Sequence, residues 1–268
     1  MLRKVLRRIP KVPPKVLVGL LVLAGAAYAV NVLLLSDDDD DAIKAAKPTP
    51  LRASVMAPGT FESAHPYAPY YVVPRARFRD PTKLSRVARN KIVTNPESAM
   101  SKGGLAGSPQ IVRVSLRSTS EDPVTVEGVR FNVVSNARPL RGWFTALSGC
   151  MATPVRRAQG NLDSKRAAVR YVGGGGVVSR KLALEVKRSA PQVIELRAAT
   201  KKRRAAWTAE LLVKDGDGNT QTVSVDNEGE PFRVTSTSAS RGYEPVYGPT
   251  GITGFSRSAK VASGGSSC

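Results

Sequence analysis

The chain has 268 residues, 41 Lys+Arg against 21 Asp+Glu for a net charge of +20, one His, two Cys and a hydrophobic fraction of 41%. One His and two Cys cannot supply a structural Cys/His zinc site or a disulfide framework, whereas the hydrophobic fraction is enough for one or two packed domains. No cofactor is implied, and the charge balance points to anionic partners.

Residues 1–15 read as a basic cytoplasmic tail carrying Arg3, Lys4, Arg7, Arg8, Lys11 and Lys15 and no acid. An uncharged run follows from Val16 to Leu35, and at roughly 1.5 Å per residue it spans about 30 Å, which predicts a transmembrane helix. Asn31 sits near its far end, where a polar side chain costs less than at the centre. Asp37 to Asp41 come next, so the positive-inside bias predicts a single-pass plasma-membrane protein with its N-terminus in the cytoplasm and the rest outside. Ala27-Tyr28-Ala29 offers the alternative of a signal peptide, cleaved near Ala29 to release a secreted protein. Either topology makes nucleic acid an unexpected partner.

Residues 36–69 are acidic and then Pro-rich, and read as a stalk, with Ala42 to Gly59 expected to be disordered. Tyr70 to Val73 is more apolar than a stalk needs and reads as an edge strand or a strap. Asp80-Pro81 predicts a helix start with Asp80 as N-cap, Leu84, Val87 and Ala88 on one face and Lys83, Arg86, Arg89 and Lys91 on the other.

After Pro109 the apolar period becomes two. Ile111, Val112, Val114 and Leu116 predict a strand, Glu121-Asp122-Pro123 a turn, and Val124 to Ser135 a second strand broken by Gly128. Further strands are predicted over Ala167 to Val172, Val177 to Lys187, Gln192 to Ala199, Trp207 to Lys214, Thr220 to Asp226 and Phe232 to Thr237. In the last but two, Trp207, Ala209 and Leu211 alternate toward a core. Together these predict a mainly β domain over residues 70–240, an antiparallel β-sandwich of immunoglobulin-like architecture, preceded by the transmembrane helix and the stalk. Residues 241–268, rich in Ser, Gly and Ala, read as a flexible tail.

Val112-Arg113-Val114-Ser115-Leu116, the stretch from Pro123-Val124 to Val134, Gly149-Cys150, Leu162-Asp163, Trp207 to Leu212 and Val225 to Arg233 occur in a recognisable order. In this the chain resembles uncharacterised single-pass membrane-anchored extracytoplasmic proteins of high-GC Gram-positive bacteria. The resemblance covers roughly Tyr70 to Thr237 and implies no activity. Where those proteins often carry further cysteines before the tryptophan strand, this chain has Lys201-Lys202-Arg203-Arg204.

Asp215-Gly216-Asp217-Gly218-Asn219, with Asp226 at the twelfth place, imitates a calcium loop, but Thr220 stands where the sixth-position Gly is required and strands flank it, so a hairpin turn is predicted. Gly173 to Gly176 lacks the Lys-Ser/Thr of a phosphate-binding loop and reads as a flexible hairpin connection. His65, without a second His, lies in the Pro-rich approach and suggests no nucleophile and base pair. Cys150 and Cys268 either form a disulfide, or Cys150 is a small buried residue and Cys268 a free or intermolecular thiol. Lys201, Lys202, Arg203 and Arg204 form the densest basic run, at a predicted turn tip, and read either as a solvated turn or as a contact site for anionic polymer.

No catalytic, cofactor-binding or metal-binding residues are assigned. The sequence thus predicts a non-enzymatic extracytoplasmic binding module for anionic wall polymer or lipid headgroups. Its alternative is a protein-interaction or assembly subunit of an envelope complex, partnered by an envelope protein. Clustering of basic residues on one face would favour the first, and an exposed apolar patch or free strand edge the second.

Overall fold

The computed structural model describes residues 49–56, 70–76, 80–94, 96–146, 156–164, 168–173, 177–249 and 251–258. All belong to the second of two compact units, Thr49–Cys268. The run from Val16 to Leu35 lies outside the described residues, and among those described no helix is long and apolar enough to cross a membrane.

The protein is mainly β. In chain order the strands begin with β1 (Leu51–Met56), β2 (Tyr70–Pro74), β3 (Leu105–Gly107), β4 (Gln110–Ser118), β5 (Val124–Ala137), β6 (Gly142–Ala146), β7 (Arg156–Asn161) and β8 (Val169–Val172). They continue with β9 (Val178–Ser179), β10 (Leu184–Val186), β11 (Gln192–Ala199), β12 (Arg204–Lys214), β13 (Thr220–Val225), β14 (Phe232–Thr235), β15 (Arg241–Gly248) and β16 (Gly251–Ser258). Two short helices, α1 (Arg86–Thr94) and α2 (Pro96–Met100), lie between β2 and β3.

One sheet runs β1-β4-β11-β7-β8-β9, and a larger one runs β10-β5-β12-β14-β3-β2-β6-β15-β16 with β13 also on β12. Most ladders are antiparallel as expected, but β7 with β11, β3 with β14 and β6 with β15 are parallel. Alternation places Val112, Val114 and Leu116 of β4 and Ile194 and Leu196 of β11 in one apolar cluster with Val126 and Phe131 of β5 and Trp207, Leu211 and Val213 of β12. Side chains from both sheets therefore share a core, driven by removal of apolar surface from water. Trp207 is fully buried at its centre, 4.8 Å from the Phe232 ring and 5.4 Å from that of Phe131. A second cluster joins Tyr71, Val73, Trp143, Tyr243, Ile252 and Phe255.

Several expectations are corrected. Tyr70 to Val73 is an interior strand, paired with β3 on one side and β6 on the other. The reason is that all four residues are buried, so the run has two covered faces. Leu51 to Met56, expected to be disordered within the 36–69 stalk, pairs with β4 over its whole length and turns Leu51, Ala53 and Val55 to the core. Residues 241–258, expected within a flexible tail, form an antiparallel hairpin whose Tyr243, Ile252 and Phe255 help build the second cluster. The 70–240 boundaries are accordingly too narrow at both ends.

Asp80 does cap a turn, accepting from the Thr82 N–H at 3.0 Å and the Thr82 hydroxyl at 2.7 Å, but that turn is a single 3-10 segment, Pro81–Lys83. The helix restarts at Arg86, with the Ala88 N–H donating to the Ser85 hydroxyl at 3.3 Å. Val87, placed on an apolar face by sequence, is 65% exposed, while Leu84 packs against the second cluster.

Val177 to Lys187, expected as one strand, divides between the sheets. The Ser179 hydroxyl accepts from the Lys181 N–H at 3.0 Å and donates to its carbonyl at 2.9 Å, a local turn that ends β9 before β10 begins in the other sheet. The break foreseen at Gly128 is a register shift in the β5–β12 ladder, where Leu212 faces Gly128 and Val213 faces Val126.

Candidate functional site

The run from Lys201 to Arg204 is an anchored turn. Asp163 accepts from the Thr200 hydroxyl and the Lys201 N–H, each at 2.7 Å, and from the Lys202 N–H at 3.4 Å. Ser236, just past β14, donates its N–H to the Arg203 carbonyl at 2.8 Å and its hydroxyl to the Lys201 carbonyl at 2.7 Å. Partial burial pushes the Asp163 carboxyl up, but the hydrogen bonds from Lys201, Thr200 and Lys202 and the charge of Arg203 hold it below its ordinary value. Lys201 and Lys202 are exposed, Arg203 is half-buried, and Arg204 is already the first residue of β12. Arg204 and Arg233 line a concavity of about 660 Å³, in which Arg233 is 3.8 Å from Glu230.

A larger cationic arrangement lies on the opposite face of the six-stranded sheet from its core side chains. Inward Leu51, Val112, Val114, Leu116, Ala158, Ile194, Leu196 and Tyr171 fix the alternation, so their neighbours point outward. Register then brings together Arg52 opposite Arg117, Arg113 opposite Glu195, Arg157 also opposite Glu195, with Arg197 opposite Gln159, and Arg170 opposite Gln159. Six arginines from β1, β4, β11, β7 and β8 thus share one face with one carboxylate, and none of these strands contains a lysine. With strands about 4.8 Å apart, the array reaches roughly 19 Å across the sheet.

Glu195 organises its middle. It is 1% exposed, accepts from Arg157 Nε through Oε1, and lies 3.7 Å from Arg113 Nε through Oε2. Burial first, and the neighbouring Arg157 charge second, push the Arg197 guanidinium down, with Glu195 opposing them. Guanidinium groups match phosphate and carboxylate oxygens in a two-pronged geometry that ammonium groups lack. The face is therefore chemically suited to anions presented in series.

Asp215 to Asn219 forms the predicted hairpin turn between β12 and β13. The Asn219 N–H donates to the Asp215 carboxylate at 2.8 Å, and Gly218 has φ +89. Asp226 caps a separate turn, accepting from the Gly229 N–H at 2.8 Å. Gly173 closes on Val177, its N–H donating to the Val177 carbonyl at 2.9 Å, between paired β8 and β9. His65, Cys150 and Cys268 lie outside the described residues. Among the described residues no group of three His, Cys, Asp or Glu side chains could hold a metal ion.

Sequence reasoning weighed the contiguous basic run and passed over the arginine face. Its signal was present in Val112-Arg113-Val114-Ser115-Leu116-Arg117, where cations alternate with core residues. Strand order and register, which bring five such strands side by side, follow from long-range pairing that one strand's pattern does not encode. No protein-family model, curated protein or solved structure matches the chain.

Proposed function

We propose that this protein is a non-enzymatic, membrane-anchored extracytoplasmic module that binds anionic envelope polymer or lipid headgroups. The outer face of the six-stranded sheet makes the contact, and the Lys201 to Arg204 turn is secondary. The observation that carries this reading is the register that aligns Arg52, Arg113, Arg117, Arg157, Arg170 and Arg197 on one face, with Glu195 as the counter-charge of Arg113 and Arg157 alone. Like charges set directly opposite one another in a sheet repel, and such a surface gains when polymer phosphates or carboxylates neutralise it and release counterions. In this reading the two sheets pack as a β-sandwich, immunoglobulin-like in the loose architectural sense, which the apolar cluster drawn from both supports. Val16 to Leu35 is its transmembrane anchor, with the N-terminus in the cytoplasm.

The test is sedimentation of the full chain, held in a neutral detergent, with anionic wall fragments and with vesicles containing anionic lipid. Binding at about 50 mM salt that fades by about 200 mM is the expected result. No binding to either at low salt would overturn the proposal.

The second reading, an assembly subunit, draws on a different observation. Strand β9 ends the six-stranded sheet, with Val177 and Val178 70% and 65% exposed. Because β9 is only two residues long, what this edge offers a partner is its exposed apolar pair and not a long free strand. Self-association or a co-purifying envelope protein, lost on Val178→Lys, would favour it.

A further inference from the structure

The arginine face ends in an open surface hollow lined by exposed cations. Arg52 and Arg117 stand directly opposite each other on β1 and β4. Beside them the turn between β10 and β11 brings Lys187, Arg188 and Ser189 to the same hollow of about 730 Å³, whose one acidic lining residue among those described is Glu121. Among the described residues no carboxylate pairs with Arg52, Arg117 or Arg188. Lys187 reaches Glu185 at 2.9 Å, but both side chains are more than half exposed, so that pair is weak and readily exchanged.

We propose that this hollow is a discrete binding site for one phosphate ester group, the point at which a phosphate-bearing chain or headgroup is gripped. The proposal rests on the polyanion reading above and sharpens it to phosphate. Two guanidiniums on opposed strand positions repel unless an anion lies between them, and each presents a planar fork. A third cation on the adjoining turn raises the demand beyond one carboxylate. A tetrahedral phosphate offers oxygens in several directions, so the two forks and Arg188 can each take one. The volume accommodates phosphate together with its ester substituents.

The experiment is a titration of the full chain in neutral detergent with glycerol 3-phosphate and with acetate, followed by calorimetry and by thermal melting. Expected are saturable phosphate-ester binding at least tenfold tighter than acetate binding, and a Tm that rises with glycerol 3-phosphate. Arg52→Gln with Arg117→Gln should lower that affinity at least tenfold and abolish the Tm response. The same double variant should melt no lower than wild type in phosphate-free buffer, because a repulsion has been removed. Arg188→Gln, on the turn and outside the sheet, should weaken binding severalfold. Arg130→Gln, which removes one cation elsewhere, should leave it unchanged. Binding equal for both anions, or phosphate affinity unmoved by the Arg52 and Arg117 changes, overturns the site.

Separate arms assign the source and keep the two claims apart. Vesicles of phosphatidylglycerol and wall fragments are sedimented with the same variants. Retention of vesicle or wall binding with no glycerol 3-phosphate site would sink this inference and leave the polyanion reading standing. A glycerol 3-phosphate site without binding to either surface would do the reverse.

Discussion

Two buried tryptophans show how much a single hydrogen bond decides. Trp207 donates Nε1 to the Gln110 side chain at 2.8 Å, and both residues are buried. Trp143 is almost as buried, yet its Nε1 has no hydrogen-bond partner among the described residues. Trp207→Phe leaves the Gln110 oxygen without its Trp207 donor in the core, whereas Trp143→Phe breaks no hydrogen bond among the described residues. The first should therefore cost about 1–3 kcal/mol more than the second in chemical denaturation. Trp207→Ala, which also empties the ring volume, should cost about 3–5 kcal/mol.

Asp163 carries a pH prediction. Because its folded pKa is lowered, the stability it contributes is present above the unfolded value near about 3.9 and lost as pH falls through the folded value. Wild-type stability should thus fall more steeply than that of Asp163→Asn as pH drops below about 4, as read by Tm across that range. Parallel curves would remove Asp163 as the anchor of the Lys201 to Arg204 turn.

At the scale of elements, close packing fixes where a strand can lie. A Cβ built on Gly160 of β7 would come 2.5 Å from the Phe131 ring, so β7 sits against β5 only because residue 160 has no side chain. Gly160→Ala should destabilise by about 1–3 kcal/mol as the ring is displaced, and Phe131→Leu should recover part of the loss in the double variant. Additive losses would place the strain elsewhere.

The elements also show how far the sequence could be read. Period-two patterns gave β4, β5, β11, β12, β13 and β14 nearly as they stand, because each carries its own alternation between core and solvent. Leu51 to Met56 has the same alternation, but Pro50 and Pro58 flank it and composition outweighed period. Residues 241–258 were hidden by Gly and Ser, since only Tyr243, Ile252 and Phe255 carry the apolar load. Val177 to Lys187 kept one apolar pattern across two sheets, and only the Ser179 turn reveals the crossing. The arginine face was legible one strand at a time and invisible as a face.

For the whole molecule, position counts beyond net charge. Replacing Arg52, Arg117 and Arg170 by Gln removes the same charge as replacing Lys201, Lys202 and Arg203. If the sheet face holds the polymer, the first set should reduce the slope of log affinity against log salt by about three, by analogy with counterion release from nucleic acid. The second set should reduce it by less than about one. Equal reductions would mean that binding senses total charge and not the face.

The Glu195 brace has a consequence for the cost of holding a ligand still. An arginine side chain free in solvent carries about 2 kcal/mol of rotamer entropy, which a ligand must remove when it fixes the guanidinium. Arg113 and Arg157 have already surrendered much of theirs in folding, through their contacts with Glu195. Arg52, Arg117 and Arg170, exposed and without such a brace among the described residues, have not. The face therefore combines a stiff centre with a compliant margin, so a bound chain can be held at the middle while its ends shift among several neighbouring grips.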